Sequence, residues 1–257
     1  MHVLGIDIGG SGIKGALVDV TRGELVSERV RIPTPAPSTP RAVAKAVRDL
    51  AGRFSLQGPI GCGFPAVIRD GIALTAANID SAWIGNNVAA ALSAATGCPC
   101  RVLNDADAAG IAEMRFGAGR GEVGVVMVVT VGTGLGSALF SGGVLFPNTE
   151  FGHFPMKGGA AEKYASAGVR EEEELSWEKW GRRLGRFLGK MEDLLWPDLF
   201  IIGGGVSRKH DRFFPAFKVR ARVVPAQQRN QAGIIGAACH AAEALEVKGE
   251  KRGKVDD

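Results

Sequence analysis

The sequence predicts an α/β protein with two similar halves. Three observations carry that expectation. Short apolar runs ending in glycine turns alternate with segments of helical period, which is the pattern of strands and helices in turn. The order strand, glycine turn, strand occurs near the start and again from Val123 onward. The 257 residues, 46% hydrophobic and 23% charged, suffice for two modest cores and are too apolar for a disordered chain. The 37 glycines cluster at Gly9-Gly10-Ser11-Gly12, Gly132-Thr133-Gly134-Leu135-Gly136 and Gly203-Gly204-Gly205, where backbone turns tightly or approaches a ligand closely.

Taken in order, Val3–Ile8 reads as a buried strand, Ile13–Val20 as its hairpin partner and Glu24–Val30 as a third strand after the Thr21-Arg22-Gly23 turn. Pro33–Pro40 is a proline-rich connection. Its Ser38-Thr39-Pro40 end supplies a cap and a first-turn proline for a helix over Arg41–Phe54, with Val43, Val47, Leu50 and Ala51 on one face. A strand follows at Ile60–Phe64, then a helix over Asn87–Thr96, and a strand over Arg101–Leu103 runs straight into Asn104-Asp105. A helix carrying Ala108, Ile111, Ala112 and Arg115 leads to the strand Val123–Val131 and the second glycine hairpin. Ala160–Ser176 is a polar, charged segment; a helix spans Trp177–Leu195, a strand Leu199–Ile202 and a final helix Ala232–Ala244. The expected lobes are 1–104 and 105–257, the final helix being able to pack back on the first.

The N-terminal Met-His-Val-Leu-Gly-Ile shows no charged region followed by a long apolar stretch, so no secretory leader is expected and the protein is read as cytoplasmic. The apolar run Val123–Val131 is far short of the roughly 20 residues of a membrane helix. Of four cysteines, Cys62 and Cys239 stand alone and Cys98-Pro-Cys100 is spaced too closely for a zinc knuckle or redox pair, so free thiols are expected. The net charge of +4 is compatible with an anionic ligand. The tail 247–257 is read as a frayed, solvated end.

Asp7 followed by Gly9 to Gly12 places backbone N–H groups at a sharp turn suited to phosphate oxygens, with Lys14 on the return strand to add charge. No helix begins there, so the motif is neither a Rossmann fingerprint nor a Walker loop. Repetition of the device at Gly132–Ser137, with hydroxyls from Thr133 and Ser137, favours a phosphate site over a plain hairpin. Asn104-Asp105 lies where a strand ends, which is where ligands collect in α/β sheets. Asp105 could take a proton from a hydroxyl while Asn104 holds a neighbouring one; alternatively Asp105 caps the next helix, and Asp107 is read as a cap or surface group. Glu150, His153 and Glu162 suit sugar hydroxyls, though His153 could equally be structural. No cysteine or further histidine stands near His153, so a zinc site is not expected. Gly203-Gly204-Gly205 would let a flat or extended ligand lie against backbone. The basic residues Arg182, Arg183, Arg186 and Lys190, with Arg208, Lys209 and Arg212, form either a solvated face or a polyanion track. Trp177, Trp180, Phe187 and Trp196 are spaced for packing, which disfavours a nucleic-acid reader.

Together these segments resemble the ROK family of sugar kinases, and within it the polyphosphate glucokinase branch. The resemblance rests on Gly5-Ile-Asp-Ile-Gly-Gly-Ser-Gly-Ile-Lys-Gly15, Leu103-Asn-Asp-Ala-Asp-Ala-Ala-Gly110, Pro147-Asn-Thr-Glu-Phe-Gly-His153 and Trp196-Pro-Asp-Leu-Phe-Ile-Ile-Gly-Gly-Gly-Val-Ser-Arg-Lys209. It implies an actin-like ATPase (ribonuclease H-like) duplicated fold with glucose in an interdomain cleft and Asp105 as catalytic base. It further implies Asn78, Asn104, Glu150, His153 and Glu162 as sugar contacts. Asp7, Gly9, Gly10, Ser11, Gly12, Lys14, Thr133 and Gly134 would hold phosphates, with Mg²⁺ at Asp7, and Gly203, Gly204 and Gly205 a nucleotide. Polyphosphate or ATP is the implied donor, and a homodimer the implied assembly, with no nucleic-acid or membrane partner. The segment Met156–Glu162 lacks the cysteines of the broader family's zinc motif, and Pro65-Ala66 stands where a Pro-Gly pair is common. The rival readings are an ATP-only hexokinase acting on mannose or fructose, and a non-catalytic sugar-sensing regulator.

Overall fold

The computed structural model describes residues 1–54 and 58–252, with side chains up to Glu243 in the last helix. It divides into two compact units, Met1–Ala112 with the C-terminal stretch from Gln231, and Glu113–Asn230.

In the first unit the elements are β1 (His2–Ile8), β2 (Ile13–Asp19), β3 (Glu24–Leu25), β4 (Val30–Ile32), α1 (Pro40–Ala51), β5 (Ile60–Phe64), the small hairpin β6 (Ile68–Arg69) and β7 (Ile72–Ala73), α2 (Val88–Thr96) and β8 (Cys100–Asn104). The helix α3 (Asp105–Phe116) begins here and runs across the division. The sheet order is β3-β2-β1-β5-β8, with β4 also on β2; β1 and β2 are antiparallel, whereas β5 and β8 join in parallel. The expected third strand Glu24–Val30 is two pieces. The Ser27 hydroxyl takes the Leu17 N–H, at 2.9 Å, that a continuous ladder would have used. Thr39 caps α1 as its sequence predicts, and Val43, Val47 and Leu50 face a core with Ile6, Phe64 and Trp83. Trp83 satisfies its indole N–H on the Ser38 carbonyl, so its large ring is buried at no polar cost.

The second unit contains β9 (Val125–Val131), β10 (Leu135–Ser141), β11 (Val144–Phe146), the hairpin β12 (Pro155–Met156) and β13 (Gly159–Ala160), α4 (Glu162–Ala165), α5 (Ala167–Glu172), α6 (Trp177–Leu195), β14 (Leu199–Gly203) and β15 (Arg222–Pro225). Its sheet order, β11-β10-β9-β14-β15, repeats the first: an antiparallel glycine hairpin followed by parallel strands. This is the duplication expected from the repeated hairpins, in the actin-like arrangement that the family resemblance implies. The segment expected to be merely polar, Ala160–Ser176, carries the two short helices α4 and α5, and Ser166 caps the second. Apolar residues of α6, Trp180, Leu184, Phe187 and Leu188, bury against Met127, Val129, Phe200 and Ile202 of the sheet. Trp196 does not join them. It ends α6 in the left-handed region (φ 47°), stays 69% exposed and carries the Arg220 guanidinium 3.7 Å above its ring.

The last helix, α7 (Ala232–Arg252), returns to the first unit and lies on β1 and β5. The approach is close enough that a β-carbon on Gly61 would overlap the Ala237 carbonyl. Of the tail read as frayed, the backbone to Arg252 is helical and 253–257 lie outside the described residues. No described helix is long and apolar enough to cross a membrane.

Candidate active site

The first unit gathers its polar groups at the carboxyl ends of β1, β5 and β8. Asp7 stands beside Lys14 in the β1–β2 register, and their side chains form an ion pair at 3.1 Å. Beyond them the turn Gly9–Gly12 closes on itself through Gly9 N–H to Gly12 C=O, 3.0 Å. Two outside groups brace it: the Thr34 hydroxyl donates to the Gly9 carbonyl at 2.5 Å, and Arg31 donates to the Ser11 carbonyl at 3.1 Å. Gly10 and Ser11 are exposed at the tip, and the Asn78 carbonyl stands over Gly10, where a β-carbon would be 3.0 Å away. Asn78, itself exposed, is thereby brought to the phosphate turn.

Asp7 pairs with Gly63 across β1 and β5, and Gly63 with Leu103 across β5 and β8. Asp105 emerges two residues past Leu103, so both carboxylates stand at the carboxyl end of the same sheet, two strands apart. The capping role open to Asp105 belongs largely to Asn104, with Asp105 Oδ1 sharing the Ala106 N–H at 2.8 Å. Asn104 Oδ1 accepts from Ala106 N–H at 2.8 Å and Asp107 N–H at 3.1 Å, while its Nδ2 donates to the Ala66 carbonyl at 3.1 Å. Asn104 is buried, and most of its amide serves to hold the strand-to-helix turn that presents half-buried Asp105. Asp107, read as a cap or surface group, is instead 1% exposed, because α3 turns it inward.

In the second unit Glu150, His153 and Glu162 form a row. His153 Nδ1 lies 3.5 Å from Glu150 and its Nε2 3.9 Å from Glu162. Burial pushes the Glu150 carboxyl above its ordinary pKa; His153 opposes that shift and Glu162 adds to it. The row is anchored to the glycine hairpin at two points. Gly152 lies so close to β10 that a β-carbon would overlap the Leu135 carbonyl, and Gly134 would place one 2.5 Å from the Glu162 carboxylate. The third anchor is Ser137, which sequence reasoning assigned to phosphate. Its inward position on β10 buries it, and its hydroxyl donates to the Thr149 carbonyl (2.9 Å) and accepts from Phe151 N–H (3.1 Å). The polar face of β10 thus fastens the segment bearing Glu150 and His153, a function visible only in the pairing of strands.

Thr133 is exposed at the hairpin tip and lines a pocket of about 320 Å³. Of the three glycines after β14, Gly205 reaches that pocket, Gly203 ends the strand, and Gly204 serves packing: at φ 83° it passes so close that a β-carbon would overlap the Val131 carbonyl. None of the four cysteines is in a disulfide, and only Cys98 is appreciably exposed.

The family model for the ROK family matches residues 3–171. The chain belongs to the ROK family. It is 47% identical to a polyphosphate glucokinase of Mycobacterium tuberculosis over 238 residues, covering 92% of this chain and 90% of that one. In structure it is similar to the inorganic polyphosphate/ATP-glucomannokinase of Arthrobacter sp. strain KM, with a TM-score of 0.91, 46% identity, and 95% and 99% of the two chains covered. A ROK family glucokinase from Streptomyces griseus, solved with glucose and AMPPNP, matches at TM-score 0.79 and 27% identity over 95% and 100%. This ROK member therefore carries the residues quoted above on a fold shared by sugar kinases of that family.

Proposed function

We propose that this chain is a cytoplasmic glucokinase, working as a homodimer, that moves a terminal phosphoryl group from inorganic polyphosphate or ATP to the 6-hydroxyl of glucose. The observation that carries the reading is the row Glu150–His153–Glu162 set directly against the Gly132–Gly134 hairpin, since it joins sugar-binding groups to phosphate-binding backbone within one unit. The likeness to a polyphosphate glucokinase at 47% identity gives it further support.

In this mechanism Glu150, His153 and Glu162 fix sugar hydroxyls by accepting and donating in set directions, with Asn78 and the remaining N–H of Asn104 as further contacts. Asp105 accepts the proton of the 6-hydroxyl as that oxygen bonds to phosphorus and the bond from phosphorus to the donor chain breaks. The backbone N–H groups of Gly10, Ser11 and Gly12 and of the Thr133-Gly134 turn, with Lys14, meet the charge that accumulates on phosphoryl oxygens. Asp7 fits a Mg²⁺ ligand: Lys14 engages only Oδ2, and this ion is commonly held by one or two carboxylates plus substrate phosphates. When bound there it would neutralise donor charge. The likeness to a glucomannokinase favours mannose as a second acceptor.

The test is formation of sugar 6-phosphate by purified protein with Mg²⁺, supplying polyphosphate or ATP as sole donor and glucose or mannose as acceptor. Glucose 6-phosphate is expected with at least one donor; no product with either donor and either sugar refutes the reading.

A further inference from the structure

The pocket at the tip of the second hairpin contains an arrangement that the transfer chemistry does not use. Trp177, at the start of α6, lines it together with Thr133 and Gly205. The Arg170 guanidinium lies over the indole, 3.9 Å from the ring centre, and the Lys209 ammonium stands 5.5 Å from the same ring. Phe213 lies nearly parallel to the indole, at 5.9 Å and 21°, and fixes its orientation.

An aromatic face attracts cations through its quadrupole and occupies none of their N–H donors. Arg170 spends only one long contact, 3.4 Å, on the Leu175 carbonyl. Among the described residues no carboxylate lies within ion-pair distance of Arg170 or Lys209. Some neighbouring cations are neutralised: Arg183 is held bidentate by Glu173, Arg182 pairs with Glu178 and Arg220 with Glu192. The pocket thus keeps two positioned cations with no ion-pair partner among the described residues beside a glycine turn whose amides suit phosphate. Glu171 on its rim offsets part of that charge. A nucleotide base would seek an open aromatic face, and here Arg170 already covers one. A chain of phosphates, which carries charge at every unit and no base, suits the pocket better.

We infer that this pocket seats the phosphates of inorganic polyphosphate beyond the one transferred, gripped by Arg170 and Lys209 on Trp177. The inference rests on the proposed kinase reading and adds the residues that hold its donor. These are binding residues for the donor chain and play no part in proton transfer.

The experiment compares wild type, Arg170→Gln/Lys209→Gln and the charge-keeping Arg170→Lys/Lys209→Arg, with long-chain polyphosphate as donor and glucose as acceptor. Each lost charge-assisted contact is worth up to about tenfold, so the KM for polyphosphate should rise ~10-fold to 100-fold in the Gln pair. Its kcat, its KM for glucose and its thermal stabilisation by glucose should stay near wild type, and the charge-keeping pair should retain most of the affinity. Direct titration with polyphosphate should show a salt dependence shallower by about two released ions in the Gln pair. A Gln pair that is stabilised by glucose yet keeps the wild-type polyphosphate KM overturns the inference while the kinase reading stands. Failure of the wild type itself to use polyphosphate overturns the donor reading and the inference with it, and is recognised from the wild-type arm alone. Should the Gln pair fail to fold, the single variants Arg170→Gln and Lys209→Gln carry the same test at roughly half the logarithmic effect.

Discussion

Ser137→Ala separates an anchoring hydroxyl from a phosphate ligand. The substitution removes one oxygen, on a side chain that is 1% exposed, and nothing else. Two main-chain groups lose their partner: the Thr149 carbonyl, which accepts from Ser137 at 2.9 Å, and Phe151 N–H, which donates to it at 3.1 Å. Thr149 itself is 8% exposed, so water replaces these bonds poorly. An unsatisfied buried polar group costs about 1–3 kcal/mol, and two with partial relaxation should total ~2–4 kcal/mol. The Thr149 hydroxyl still donates to the Ser137 carbonyl at 2.8 Å, which keeps the segment attached but looser. Since that segment carries Glu150 and His153, the glucose KM should rise along with the loss of stability, while the KM for the phosphoryl donor changes little. Urea denaturation and steady-state kinetics with each substrate varied in turn provide the readouts. A variant of wild-type stability and glucose KM but with a raised donor KM would refute the anchoring argument and return Ser137 to the phosphate site.

Asp105→Asn should lower kcat by ~100-fold to 10,000-fold, the usual contribution of a general base, with little change in glucose affinity measured by titration. Glu150 has a raised carboxyl pKa, so the folded state holds its proton more tightly than the unfolded chain does, and stability falls as pH rises through the window between the two values. Glu150→Gln should therefore melt at a higher temperature than wild type at neutral pH, an advantage that disappears below the ordinary carboxylate range, while binding glucose more weakly. Glu192 shows the opposite sign. Burial pushes its carboxyl up, but the N–H groups of Ala221 and Arg220 and the Arg220 guanidinium outweigh that and hold it below the ordinary value. Its stabilisation is present above the unfolded pKa and lost as pH falls through the folded one. Glu192→Gln should cost about 1–2 kcal/mol at neutral pH, by loss of charge-assisted bonds, and the gap to wild type should narrow in acid-shifted urea melts.

Sequence alone determined what depends on local period and turn chemistry. The repeated apolar strand, glycine turn and return strand was legible because both hairpins close through nearest neighbours; the start of α1 followed from Thr39-Pro40, although the helix ends at Ala51 and not at Phe54, and α6 from its helical period. Asp105 could be placed at a strand end because Arg101 to Asn104 is a short extended run before a helical pattern. What a polar side chain does once it is there was decided only by tertiary structure, because its partners are remote in sequence. Asn104 is largely consumed by Ala66 and the first turn of α3, and Ser137 by a segment twelve residues on. Buried Glu113 meets the backbone of Gln227 and Gln228, more than a hundred residues away. Among the many basic residues, only the packing of α5, α6 and the turn after β14 shows that Arg170 and Lys209 share one indole. Periodicity reports which way a side chain faces; the group it faces is set by which strands and helices come to lie beside it.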